Sequence, residues 1–278
     1  MQKVFTLLCM ALSFGFSTVA EANLLINPTR VQFGPTDRSA DVTLINTSDA
    51  VTTYRLEWTE KQAQPDGGYT DLTPEQALVF PVASKMLRFT PRQVTLQPGE
   101  RQNIKLALRR PANLAKGEYR SHLLFKAVPP EKNVAVKNEG ASLGINIVLS
   151  FSIPVTVRQG ELQYSLAADS VNLQYDPALA TGAVNLKMRR TGLNSTLGDI
   201  SAYWTPENGT ERLIAKNAEY SFWPELSETT VKLHWVGADF AIANGTLRVV
   251  YDGSKNFKGT VFFEKTFNIS KGMIKIIN

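Results

Sequence analysis

Apolar residues recur at every second position of this chain in short runs broken by turn residues. From Asn23 to Val157 the runs are Leu24 to Phe33, Val42 to Leu44, Tyr54-Leu56-Trp58, Leu87-Phe89, Val94-Leu96, Ile104-Leu106-Leu108 and Tyr119 to Val128. Successive side chains of a strand point to opposite faces, so each run reads as a strand with one face in a core. Pro65-Asp66-Gly67-Gly68 and Pro98-Gly99 fall between runs, where glycine supplies positive φ for a turn. Only Pro74 to Val79 suits a turn of helix. A second set follows Arg158-Gln159-Gly160: Leu162-Tyr164-Leu166, Val184-Leu186-Met188, Ile200-Ala202-Trp204, Val231-Leu233-Trp235, Leu247-Val249-Tyr251 and Phe263 to Ile269. The pattern predicts an all-β chain of two immunoglobulin-like β-sandwich domains, residues 23–158 and 159–278, held at a fixed angle by a link too short for free tumbling. Lys271 to Asn278 reads as a frayed last strand.

One run is too long for this scheme. Leu143, Ile145, Ile147, Leu149, Phe151, Ile153, Val155 and Val157 are all apolar. At about 3.3 Å per residue the run would span roughly 50 Å, two to three times an ordinary sandwich strand. One reading bends the strand and buries the whole row in its own domain. The other keeps Phe151 to Val157 in the core and lets Leu143 to Leu149 project, offering alternate side chains to a partner. In the projecting part the opposite face carries Gly144 and Asn146, so a single row is oily. An exposed edge of this kind aggregates unless managed, and Glu131, Lys132, Lys137 and Glu139 precede it as gatekeepers.

The start of the chain bears on where that edge operates. Lys3, the mostly apolar stretch Val4 to Val19 and the small residues around Ala20-Glu21-Ala22 form the pattern of a cleavable signal peptide, residues 1–22. The apolar stretch is shorter than the ~20 residues of a membrane span. Cleavage would remove Cys9, the one cysteine, and with it any disulfide or thiolate chemistry. It also removes one charge of each sign, Lys3 and Glu21, so the net charge stays at +5. The basic residues are dispersed rather than gathered in a stripe with aromatics, which argues against nucleic acid. The two histidines, His122 and His234, sit in alternating strands, and there is no phosphate loop, nucleophile elbow or metal-ligand cluster. Neither enzyme activity nor a cofactor, metal or small-molecule substrate is expected.

Several stretches together carry a resemblance. Asn27-Pro28-Thr29-Arg30 opens the first domain, Tyr54 to Trp58 follows, Thr90 to Gly99 reads TPRQVTLQPG, Gly117 to Pro130 reads GEYRSHLLFKAVPP, and the long alternating strand comes next. In this order they resemble the PapD-like periplasmic chaperones of pilus assembly. The second domain matches mainly by its place and β pattern. The resemblance implies a boomerang of two sandwiches in the periplasm. It would hold pilus subunits that lack their last strand, insert its own strand into the gap, and deliver them to an outer-membrane usher. Leu143, Ile145, Ile147 and Leu149 would then be the donor residues. Family members hold the subunit's C-terminal carboxylate with an Arg of the first strand and a Lys of the donor strand. Arg30 matches the first. The Lys position falls near Leu149, and Leu143 to Val157 contains no basic residue. That departure implies a divergent branch, archaic or alternative, with Arg92, Arg120 and Lys126 as candidates for the second cation. The rival reading is a surface adhesin or pilus structural subunit of the same sandwich class. A subunit would carry its donor segment near its mature N-terminus, whereas here the long strand closes the first domain.

Overall fold

The computed structural model describes residues 24–129, 149–237 and 240–277. The expected signal peptide and Leu143, Ile145 and Ile147 lie outside these residues. The first half comprises β1 (Leu24–Asn27), β2 (Val31–Phe33), β3 (Ser39–Asn46), β4 (Thr52–Thr59), β5 (Lys61–Ala63), β6 (Tyr69–Asp71), helix α1 (Pro74–Val79), β7 (Leu87–Thr90), β8 (Gln93–Leu96), β9 (Arg101–Leu108), β10 (Gly117–Val128) and β11 (Ser150–Gln159). A four-stranded sheet, β1-β3-β9-β7, faces a five-stranded sheet, β2-β11-β10-β4-β8, and β5–β6 forms a separate hairpin.

The expected single run from Leu24 to Phe33 divides. Pro28 has no N–H for a ladder, and the chain changes sheets there. Consequently β1 pairs antiparallel with β3, and β2 pairs parallel with β11. Phe33, Leu44, Tyr54, Ile104, Phe125 and Val155 meet in the core between the sheets. The Tyr119 hydroxyl donates to the Ala115 carbonyl at 3.0 Å, a tyrosine corner at the entry to β10. Helix α1 forms where one turn is expected, because Thr73 and Gln76 close a capping box around Pro74. None of its residues is buried.

The second half comprises β12 (Ser165–Asp176), β13 (Thr181–Thr191), β14 (Thr196–Pro206), β15 (Arg212–Phe222), β16 (Glu228–Trp235), β17 (Gly245–Gly253), β18 (Val261–Ile269) and β19 (Ile274–Ile276). Hydrogen bonds link them in one order, β18-β17-β14-β15-β16-β13-β12-β19. The link between β15 and β16 is only two residue pairs, Ala215 with Trp235 and Lys216 with His234. The ladder therefore divides into two layers around one core that holds Trp204, Phe222, Tyr251, Leu186 and Val249. Lys265 Nζ donates to the Ala168 carbonyl at 2.6 Å and draws β18 towards β12. The C-terminal end is pinned rather than frayed: β19 lies parallel to β12, and Ile274 is buried in the core.

The chain turns between the halves at Gly160, whose φ of +81° favours glycine. Just before it, Arg158 Nε donates to Glu118 Oε2 at 2.8 Å inside the first half. That carboxylate oxygen also accepts from Ser195 Oγ at 2.9 Å, while Arg158 Nη2 donates to the Ser195 carbonyl at 3.0 Å. One buried ion pair thus grips the second half through Ser195.

Candidate functional site

The site begins at the edge of β11. On one side its whole length pairs with β10, from Ser150 opposite Lys126 to Gln159 opposite Gly117. On the other side β2 covers only Val155 to Val157. Among the described residues, no strand pairs with the outer edge of Ser150 to Pro154. The apolar row changes character along this stretch. Ile153, Val155 and Val157 are buried, Phe151 is half-buried at the rim of the core, and Leu149 is 47% exposed. The core therefore stops between Phe151 and Leu149, and the row continues past it.

The same edge leads at its other end into a cleft between the two halves. Arg30, just before β2, donates from Nη2 to Ser221 Oγ at 2.5 Å, and its guanidinium lies 5.1 Å from the Trp223 ring centre. It makes no ion pair among the described residues. Burial pulls its pKa below the usual arginine range, with Tyr69 and Glu118 opposing. The cleft beside it is a cavity of about 280 Å³, walled by Tyr69, Tyr220 and Trp223 and by the Gln64–Gly68 turn of the β5–β6 hairpin. That hairpin is fastened to the second half: Trp223 Nε1 donates to the Tyr69 hydroxyl at 2.9 Å, and Thr229 Oγ1 to the Pro65 carbonyl at 2.7 Å.

Arg120 shares the Trp223 ring, at 4.1 Å, but its charge is already taken. Both of its terminal nitrogens meet the Glu225 carboxylate, and Nη2 also donates to the Lys61 carbonyl at 3.0 Å. Of the basic residues singled out above, Arg30 and Arg120 converge in the cleft. Arg92 and Lys126 are solvent-exposed, Arg92 beside β8 and Lys126 opposite Ser150. Trp223, Ser221, Tyr69 and Glu225 had no signal in the sequence.

His122 lies two residues beyond Arg120 on the same face of β10. It is buried, its ring meets Tyr69 edge-on at 4.9 Å, and neither ring nitrogen has a partner among the described residues. Burial, then the nearby Arg120, Lys61 and Arg30, push its pKa from 6.5 down to about 3, with Asp71 opposing. Between those two values the unfolded chain binds the proton and the folded chain does not. Stability from this group is therefore complete above pH 6.5 and declines as the pH falls towards 3. About 2 kcal/mol should be lost between about pH 8 and about pH 5. Urea unfolding at the two pH values should show this loss in the wild type and its removal in His122→Phe. An identical pH dependence in both proteins would refute it.

Neither a family model nor a curated protein matches the chain. Solved structures do. The YadV chaperone aligns at a TM-score of 0.48 and 14% identity, over 89% of this chain and 100% of its own. A structure of Salmonella enterica SafA pilin in complex with the SafB chaperone aligns at 0.48 and 13%, over 91% and 99%. The CsuC–CsuE chaperone–tip adhesion subunit complex, from archaic chaperone-usher Csu pili of Acinetobacter baumannii, aligns at 0.43 and 13%, over 92% and 100%. Along most of its length the chain is similar to solved fimbrial chaperones.

Proposed function

We propose that this protein is a periplasmic chaperone of pilus assembly that captures an incomplete β-sandwich subunit by donating the strand Leu143 to Leu149. The observation that carries the reading is the open edge of β11, continuous with an apolar row that leaves the core at Leu149. If it stays extended, the segment from Leu149 back to Leu143 reaches about 20 Å beyond the core. Main-chain hydrogen bonds along such an edge grip any strand, and the alternate side chains fill pockets that select the right one. Arg30, half-buried and without a carboxylate partner among the described residues, is suited to the subunit's terminal carboxylate at the other end of the edge. Arg120 is a poorer second anchor, because Glu225 occupies it. Delivery to an outer-membrane usher completes the reading.

A pull-down of the tagged protein from the periplasm of its own host, with captured proteins identified by mass, tests this. Wild type should retain a small β-rich subunit. Ile145→Asp with Ile147→Asp should lose it by more than about 100-fold, since each apolar side chain kept from its pocket forfeits about 1.5–3 kcal/mol. Arg30→Ala should weaken capture about tenfold or more, as expected for a lost charged hydrogen bond. Equal capture by wild type and the double variant would overturn strand donation.

A further inference from the structure

The sheet β1-β3-β9-β7 turns one face to the core and the other to solvent, and its register gathers on the solvent face cations that are scattered along the sequence. On β9, Ile104, Leu106 and Leu108 enter the core, so Arg101 and Lys105 point outwards, followed by Arg109 just past the strand, and all three are exposed. Arg88 of β7, also exposed, joins them opposite Ala107, midway between Lys105 and Arg109. Asp41 of β3, opposite Lys105, is the one carboxylate that the four strands place on this face. None of the four cations forms an ion pair among the described residues. Beyond Arg109 the positive zone continues into a cavity of about 580 Å³ lined also by Arg38 and Arg110.

Cations held this close repel one another, and a partner's carboxylates would relieve the repulsion. Diagonal neighbours in a sheet lie about 7–8 Å apart, so Lys105, Arg88 and Arg109 form a zigzag with that step. Alternate residues of an extended chain are about 6.6 Å apart, nearly the same step. The face carries no aromatic ring on which nucleobases could stack. Its larger apolar side chains, Leu25 and Ile45, pair at the β1 margin, across the sheet from Arg88, and are too few to enter a lipid surface. We propose that this face docks an extended segment of a partner protein that carries acidic side chains at alternate positions. The β11 edge belongs to the other sheet, so the inference does not depend on strand donation, and both surfaces can be occupied together.

The test is titration of the full chain, isotope-labelled for NMR, with acetyl-(Glu-Ser)n-amide of about ten residues, which at ~3.3 Å per residue follows β9 from Arg101 to Arg109. Saturable shifts are expected at Arg88, Asn103, Lys105 and Ala107, with Ile153 and Val155 unmoved. Arg88→Glu with Lys105→Glu, both at exposed positions, should weaken binding roughly tenfold or more, because two attractions become repulsions. Lys232→Glu, at an exposed position of β16, should leave it nearly unchanged. A peptide of the same composition with its glutamates in one block should bind several-fold more weakly, since alternate carboxylates of that block face away from the sheet. Phosphatidylglycerol vesicles at about 0.15 M salt should not displace the peptide. Absence of saturation, shifts centred elsewhere, equal binding of the block peptide, indifference to the double reversal, equal weakening by Lys232→Glu, or displacement by the vesicles would each overturn the proposal.

Discussion

Ile153→Asp is expected to leave little or no folded protein, whereas Leu149→Asp, four residues earlier in the same alternating row, should fold as the wild type does. Ile153 is 3% exposed, packed in the first core and paired with Leu123 on β10. An unpaired carboxylate there forfeits the burial of the side chain and adds several kcal/mol of desolvation. A protein of ordinary stability, about 5–15 kcal/mol, loses most of it. Leu149 is 47% exposed, and a charge at such a surface position should change stability by about 0.5 kcal/mol or less. Circular dichroism melts and soluble yields of the two variants decide the matter. If both unfold, Leu149 belongs to the domain's own core, and the projecting strand shrinks accordingly.

Glu118→Gln should have the next largest effect. The carboxylate is nearly inaccessible and holds Arg158, which is as deeply buried. Removing its charge leaves a buried guanidinium uncompensated, a loss of about 3–5 kcal/mol in comparable ion pairs. In a protein of this size that is roughly a 10 °C fall in melting temperature. Replacing both partners, Glu118→Gln with Arg158→Met, should recover part of the loss, because no lone charge then remains. A melting temperature unchanged in Glu118→Gln would mean that the pair contributes nothing to the grip on Ser195.

Most of the first sandwich was legible because its strands bury one face each, and alternation is the direct imprint of that burial. Where neighbours from far along the chain do the burying, the imprint fades. The β5–β6 hairpin is short and largely polar, and it is held by Trp223 and Thr229 of the other half rather than by a periodic face of its own. Strand β15 escaped notice for a similar reason: only Ile214, Ala215 and Phe222 are buried, and they do not alternate. Leu24 to Phe33 reads as one run, and that Pro28 divides it and moves the chain from one sheet to the other is a tertiary fact.

The candidate site divides the same way. Arg30 could be picked out only through the resemblance carried by Asn27-Pro28-Thr29-Arg30, and Leu149 from the row. The state of Arg120 could not, because its partner Glu225 lies 105 residues away. Once that pair is formed, the two cations of the cleft are no longer alike. One is neutralised across the junction, while the other stands beside an open cavity with a hydroxyl and an aromatic ring for company.

On the proposed function, another chain completes the edge that β11 leaves open, with Leu143 to Leu149 as the donated segment. Amide hydrogen exchange by NMR, residue by residue, on the free protein and on its complex with the captured subunit, is the decisive experiment. In the free protein the amides of Leu143 to Leu149 should exchange rapidly, and those of Ser150 to Phe151 should do so wherever they face the open edge. In the complex, amides at alternate positions from Leu143 to Leu149 should slow by orders of magnitude, with Ile153 and Val155 unchanged. Protection appearing elsewhere, with Leu143 to Leu149 still exchanging freely, would contradict strand donation.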